Sequence, residues 1–275
     1  MDRAPFYLID AFTESGKVLG HPLRGNPAAV VLLDEFASDA WMQERANEFN
    51  LSETAFVVGR GDQNFDLRWF TPQVEVDLCG HATLATAAAL LDAGQILRGD
   101  NTRFSTRSGI LTAKVVADRI ELDFPGQQTS ARAILPQLRS ALGLKANEIL
   151  YCGRAADDWF VRVAPDKLGP LRPDFKKLAL IEARGVVVTT HAPPGEESYD
   201  FASRFFGPRV GIDEDPVTGS AHTALAPFWA ARLGKMQLKA VQLSARGGWL
   251  EVEVRGLRVA IIGQAQIRAQ GHLRD

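Results

Sequence analysis

The chain contains one passage twice. Residues Arg68 to Gly94 read RWFTPQVEVDLCGHATLATAAALLDAG, and Arg204 to Gly234 read RFFGPRVGIDEDPVTGSAHTALAPFWAARLG. An offset of 136 carries Arg68, Phe70, Pro72, Val74 and Asp77 onto Arg204, Phe206, Pro208, Val210 and Asp213. Three additional residues follow in the second copy, after which an offset of 139 carries Gly80 onto Gly219 and Ala82 onto Ala221. The offset of 139 also brings Arg107, Gly109, Leu111 and Arg119 onto Arg246, Gly248, Leu250 and Arg258. A tandem duplication restricts the fold to two related lobes. The expected division is 1–126 and 127–275 at the Pro125-Gly126 break, with the last strand free to pack on the first lobe.

In each half, short strands surround one dominant helix rich in Ala, Thr and Leu, a composition that suits burial. A curved antiparallel sheet wrapped around a buried helix satisfies both patterns, and amphipathic helices are too few for a parallel α/β sheet. The class is therefore α+β. Ser38 caps a helix that runs to Phe49, and Thr54–Val58 and Phe65–Phe70 read as strands. Pro165–Pro173 reads as irregular, and Leu257–Ile262 and Ala265–Ala269 as two final strands.

A net charge of −2 offers nothing to nucleic acid or an anionic membrane, and no basic run interleaves with aromatics. No window of 18 apolar residues predicts a transmembrane helix, and MDRAPFYLIDAF is not a secretory signal. The only cysteines, Cys79 and Cys152, occupy non-equivalent places and form no CxxC pair. This composition suits a reducing cytoplasm.

Both repeated helices start at a glycine, in Gly80-His81-Ala82 and Gly219-Ser220-Ala221. Free N–H groups at a helix start attract anions such as carboxylates. If the lobes face each other, the duplication brings both starts to one cleft, which fits a small carboxylate. Taken singly, the glycines serve equally well as tight turns. Beside the helix starts lie Cys79, His81, Asp213, Glu214, Asp215, Thr218, Ser220 and His222. Glu53 lies elsewhere, at the mouth of a strand, where a lone glutamate is usually a cap or a solvent-facing residue. The helix dipole predicts a neutral His81, and His21, His191 and His272 read as surface residues. No HxxxH or HxH spacing suggests a metal, no GxGxxG or GxxxxGK[ST] a nucleotide, and no GxSxG a hydrolase.

Five ordered motifs now matter: Gly25-Asn26-Pro27-Ala28-Ala29-Val30, Leu51-Ser52-Glu53-Thr54-Ala55-Phe56, Leu67-Arg68-Trp69-Phe70-Thr71-Pro72, Asp77-Leu78-Cys79-Gly80-His81-Ala82-Thr83 and Asp215-Pro216-Val217-Thr218-Gly219-Ser220-Ala221. Together they resemble the PhzF-like family of phenazine biosynthesis over nearly the whole chain. That resemblance implies the diaminopimelate epimerase-like fold, two pseudo-symmetric lobes each with an antiparallel barrel-like sheet around a central helix. It also implies a cofactor-independent, metal-free isomerase acting on a small carboxylated substrate, and a homodimer. In the namesake enzyme the glutamate matching Glu53 shuttles a proton between carbons of dihydro-3-hydroxyanthranilate. By the same resemblance His81 and Asp215 place the substrate and the glutamate, and Ser220 contacts the substrate. Gly80 and Gly219, at the helix starts, would hold its carboxylate. One carboxylate can remove a proton as base and return it as acid in a cleft that excludes water.

Related two-base epimerases use one cysteine per lobe. Here the two positions are Cys79 and Thr218, and a threonine hydroxyl is too weak an acid to replace a thiol. Two-thiol chemistry is therefore disfavoured, and Cys79 reads as a small buried residue. A non-catalytic carboxylate-binding protein and a single-base amino-acid epimerase are the competing readings.

Overall fold

The structure is a computed structural model that describes residues 3–274. Its chain forms two interleaved units. The first takes the residues up to Ser15, Arg24–Phe124 and those from Ala260 onward; the second takes Gly16–Leu23 and Pro125–Val259. A single cut at Gly126 does not describe this arrangement, because segments from each half of the chain are exchanged.

The first unit is built from strands that bury alternate side chains. In Asn64–Phe70, Phe65, Leu67 and Trp69 point inward while Asp66 and Arg68 stay partly exposed. Eight strands form a closed ring: Pro5–Thr13 pairs with Asn26–Leu33, then follow Glu53–Gly61, Asn64–Phe70, Asn101–Thr106, Gly109–Val116, Arg119–Pro125 and Arg258–His272, which returns to the first. Closure leaves no strand edge unpaired. The helix Gly80–Asp92 packs against strands from different sides of the ring, among them Pro5–Thr13, Asn26–Leu33 and Gly109–Val116. From Gly80 to Leu90 every residue except Ala88 is buried. Its two interior hydroxyls are satisfied locally, Thr83 donating to the Cys79 carbonyl at 2.6 Å and Thr86 to Ala82 at 2.7 Å. The predicted helix Asp39–Phe49 is present, with Ser38 as its cap.

The second unit repeats the plan. Asp158–Val163 runs parallel to Gly185–His191 as Asn26–Leu33 does to Glu53–Gly61. Phe201–Gly207 runs parallel to Gln237–Gln242 as Asn64–Phe70 does to Asn101–Thr106. The second core helix is Gly219–Leu233. Each unit thus carries two parallel pairs among antiparallel neighbours.

Ion pairs locate the three extra residues more accurately than letter matching. Arg68 grips Glu75 through Nε and Nη2 at 2.7 and 2.6 Å, and Arg204 grips Glu214 the same way at 2.7 and 2.9 Å. Trp69 pairs with Val76, and Phe205 with Asp215. The offset therefore changes before Glu214, around the 3-10 turn Pro208–Val210 and Gly211, whose φ is 90°. Matching Val74 with Val210 and Asp77 with Asp213 was coincidence. Two further expectations are corrected. The final two strands are one, Arg258–His272, and the Pro165–Pro173 stretch begins with a helical turn, Pro165–Leu168. Among the described residues no helix is long and apolar enough to cross a membrane.

Candidate active site

In the first unit, Asn26 and Glu53 are the first residues of two adjacent parallel strands, whose register joins Ala28 to Glu53. Gly25 makes the approach to Asn26 possible. Its φ is 74°, and a Cβ there would lie 2.3 Å from the Ala11 carbonyl oxygen. The core helix begins beside these strand ends, with Cys79 at its cap position making no side-chain capping bond. The structure thereby gathers Glu53, Cys79 and His81. His81 Nε2 lies 3.2 Å from Glu53 Oε2, and His81 Nδ1 lies 3.3 Å from the Asn26 amide nitrogen and 3.5 Å from Cys79 Sγ. Ser52 Oγ donates to Asn26 Oδ1 at 3.2 Å.

Two of these atoms are unsatisfied. Glu53 Oε2 and His81 Nε2 are buried and face each other, with no other hydrogen-bond partner among the described residues. Buried polar atoms of this kind normally have a role or a ligand. Burial opposes charge on His81, but the Cys79 sulfur and the Glu53 carboxylate outweigh it and hold the imidazole well above its ordinary range. The helix dipole opposes that shift, and the Asn26 amide nitrogen facing Nδ1 suits an imidazole that accepts there. Burial, and secondarily Glu53, push the Cys79 thiol up. Glu53, Cys79 and His81 lie close enough to invite a metal. However, the cysteine approaches Nδ1 and the glutamate Nε2 of the same ring.

The second unit holds Asp215, Thr218, Gly219 and Ser220. Of the three acids expected near this helix start, Asp213 is exposed and Glu214 is bound to Arg204, which leaves Asp215. The Thr218 hydroxyl donates to Asp215 Oδ2. The Gln242 side chain braces the turn, accepting from Thr218 N at 2.9 Å and donating to the Asp215 carbonyl at 2.8 Å. The threonine at the cysteine-equivalent position thus commits its proton to Asp215. Ser220 Oγ accepts a hydrogen bond from Arg184 Nη1 at 2.9 Å, and Arg184 Nε and Nη2 hold Asp158. His222 is fully buried, bound through Nδ1 to the Thr218 carbonyl at 2.8 Å, and burial pushes its pKa down to about 4. It is a core residue. His191, expected at the surface, is half-buried at the end of the strand Gly185–His191, its ring 6.3 Å from that of Trp229.

Asn26, Gln242, Arg184 and Asp158 join the candidate residues through hydrogen bonds and were not singled out from the sequence. Asn26 stands in a quoted motif and was readable as more than a turn residue. The other three carry no local signal.

Comparison with known proteins adds the following. The model of the phenazine biosynthesis-like protein family (PhzC-PhzF) matches residues 9–271. An uncharacterized isomerase of Pseudomonas aeruginosa is 49% identical over 272 residues, which span 97% of this chain and 97% of that protein. The crystal structure of a PhzF-family phenazine biosynthesis protein from Enterococcus faecalis has a TM-score of 0.88 at 40% identity, covering 99% of this chain and 100% of that one. A hydroxyproline epimerase of Agrobacterium vitis, solved with trans-4-hydroxy-L-proline, shares the fold alone, at 13% identity and a TM-score of 0.62 over 99% of this chain and 93% of its own. The epimerase-like fold expected from the motifs is borne out.

Proposed function

The chain belongs to the phenazine biosynthesis-like family, and from that membership we propose that it is a cofactor-independent isomerase in which Glu53 moves a proton between carbons of a small carboxylated substrate. The isomerase class rests on relatives that carry that name. The observation that carries the assignment to Glu53 is the pair of unsatisfied buried atoms, Glu53 Oε2 and His81 Nε2, 3.2 Å apart at an uncapped helix start.

In this reading the Glu53 carboxylate takes a proton from a substrate carbon and returns it to another, so one group serves as base and then as acid. His81 faces the Glu53 carboxylate through Nε2 and donates from it to charge developing on the substrate. Within the second unit, Ser220 and the helix start at Gly219 suit a carboxylate, and Asp215 keeps the Thr218 turn in place. The Thr218 hydroxyl, which stands where a second thiol would be needed and is committed to Asp215, speaks against symmetric two-thiol chemistry.

The test is solvent deuterium uptake by mass spectrometry across a panel of small carboxylates. Wild-type protein should label its substrate, and Glu53→Gln should lower that rate about 10²- to 10⁴-fold with ligand affinity retained. Undiminished labelling by the variant would sink the assignment, and a pure binding protein would label nothing.

A further inference from the structure

The duplication has not preserved the carboxylate. Phe70 and Phe206 are equivalent and pair with Thr54 and Val186, so the residue before each, Glu53 and Gly185, is equivalent as well. Glutamate cannot stand at the second position. A Cβ on Gly185 would lie 2.2 Å from Cζ of Phe205, whose ring fills that space. What the second copy has instead is Arg184, the residue just before, clamped by Asp158, the residue across the parallel pair from Gly185.

We propose that Arg184, locked by Asp158, is a positioning residue that makes Ser220 an obligate hydrogen-bond donor to a bound carboxylate. A hydroxyl has one proton and two lone pairs, whereas a guanidinium only donates. The bond from Arg184 Nη1 at 2.9 Å occupies a lone pair of Ser220 Oγ. The hydroxyl proton has no acceptor among the described residues, so the half-exposed Ser220 can offer it to a ligand. The direction of this bond is fixed, because arginine stays protonated. Asp158 is 6% exposed in its side chain, and it binds Nε at 3.0 Å and Nη2, which fixes the plane of the guanidinium. The Arg184 side chain also lies over the Phe205 ring, with Cζ 5.2 Å from its centroid. Thus the residue that fills the lost glutamate's place also supports the arginine. In the first unit, His81 is the equivalent of Ser220 at the offset of 139.

The inference rests on the proposal that Ser220 meets the substrate, and its test reads binding rather than chemistry. The probes are 3-hydroxyanthranilate, the aromatic counterpart of the namesake substrate, and 2-aminophenol, the same ring without the carboxylate, each titrated calorimetrically. Arg184→Met alone strands the buried Asp158 carboxylate, so the main variant is Asp158→Asn/Arg184→Met. That variant and Ser220→Ala should each weaken 3-hydroxyanthranilate about tenfold or more and leave 2-aminophenol unchanged. The triple variant should bind no more weakly than either, and Arg184→Lys should recover part of the loss. Unchanged carboxylate affinity, additive losses in the triple variant, or a wild-type protein that does not discriminate the probes would each overturn it. Deuterium exchange that survives Glu53→Gln, with carboxylate affinity still lost in the Arg184 variants, would instead refute proton transfer by Glu53.

Discussion

Thr83 and His222 stand at equivalent places in the two core helices, and both bond back to the carbonyl four residues earlier, at 2.6 and 2.8 Å. The first copy thus contains the substitution that tests the second. The folded pKa of His222, about 4, lies below that of an unfolded histidine near 6.5. Between these values the unfolded chain binds the proton and the folded one does not. Stability is therefore full above about pH 6.5 and falls as pH drops towards 4, by roughly 3 kcal/mol. Urea unfolding of His222→Thr at pH 7 and pH 4.5 should show this acid loss flattened, whatever the variant's offset at pH 7. His81 has the opposite sign. Its folded pKa is raised, so its contribution is full below about pH 6.5 and is lost as pH rises through the elevated value. Glu53→Gln removes a counter-charge and should lower the His81 pKa, read from imidazole NMR titration. An unchanged titration would contradict the pairing of these side chains.

At the scale of elements, the strand ends that carry Glu53 and Gly185 differ by what the neighbouring strand places over them. Gly185→Ala should destabilise the protein by about 1–3 kcal/mol through overpacking against Phe205. In chemical denaturation, Phe205→Leu should relieve part of that cost. Legibility follows the same division. Cap and turn chemistry was readable, since Ser38 starts a helix and the glycines at 80 and 219 open two others. The Arg68 and Arg204 matches marked equivalent strands, yet the short matches after them slipped by three residues, because an exposed turn tolerates insertion without keeping its pattern. The strand Arg258–His272 read as two because Gly263 and Gln264 interrupt its apolar run. Gly263 is required there for a reason no local pattern carries: a Cβ would lie 2.4 Å from the Phe12 ring. The Asp158–Arg184–Ser220 chain spans separations of 26 and 36 residues, and only the folded sheet brings its members together.

At the scale of the whole molecule, the duplication does not produce two independent halves of sequence. The first ring needs Arg258–His272 between Pro5–Thr13 and Arg119–Pro125. A fragment ending at Gly126 should therefore lack native tertiary structure by near-ultraviolet circular dichroism, and addition of a peptide spanning 258–272 should restore it. A fragment that folds unaided would show that the ring is dispensable.

The closing strand also fixes an order of events during synthesis. Residues of the second unit have all emerged once Val259 has left the ribosome, whereas the first unit still lacks its eighth strand. At about 5–20 residues per second, the interval from Phe124 to that strand is on the order of ten seconds. For that time the edges of Pro5–Thr13 and Arg119–Pro125 stand open, each a template for pairing with a neighbouring nascent chain. The half that is translated first is completed last, and it is the half that carries Glu53.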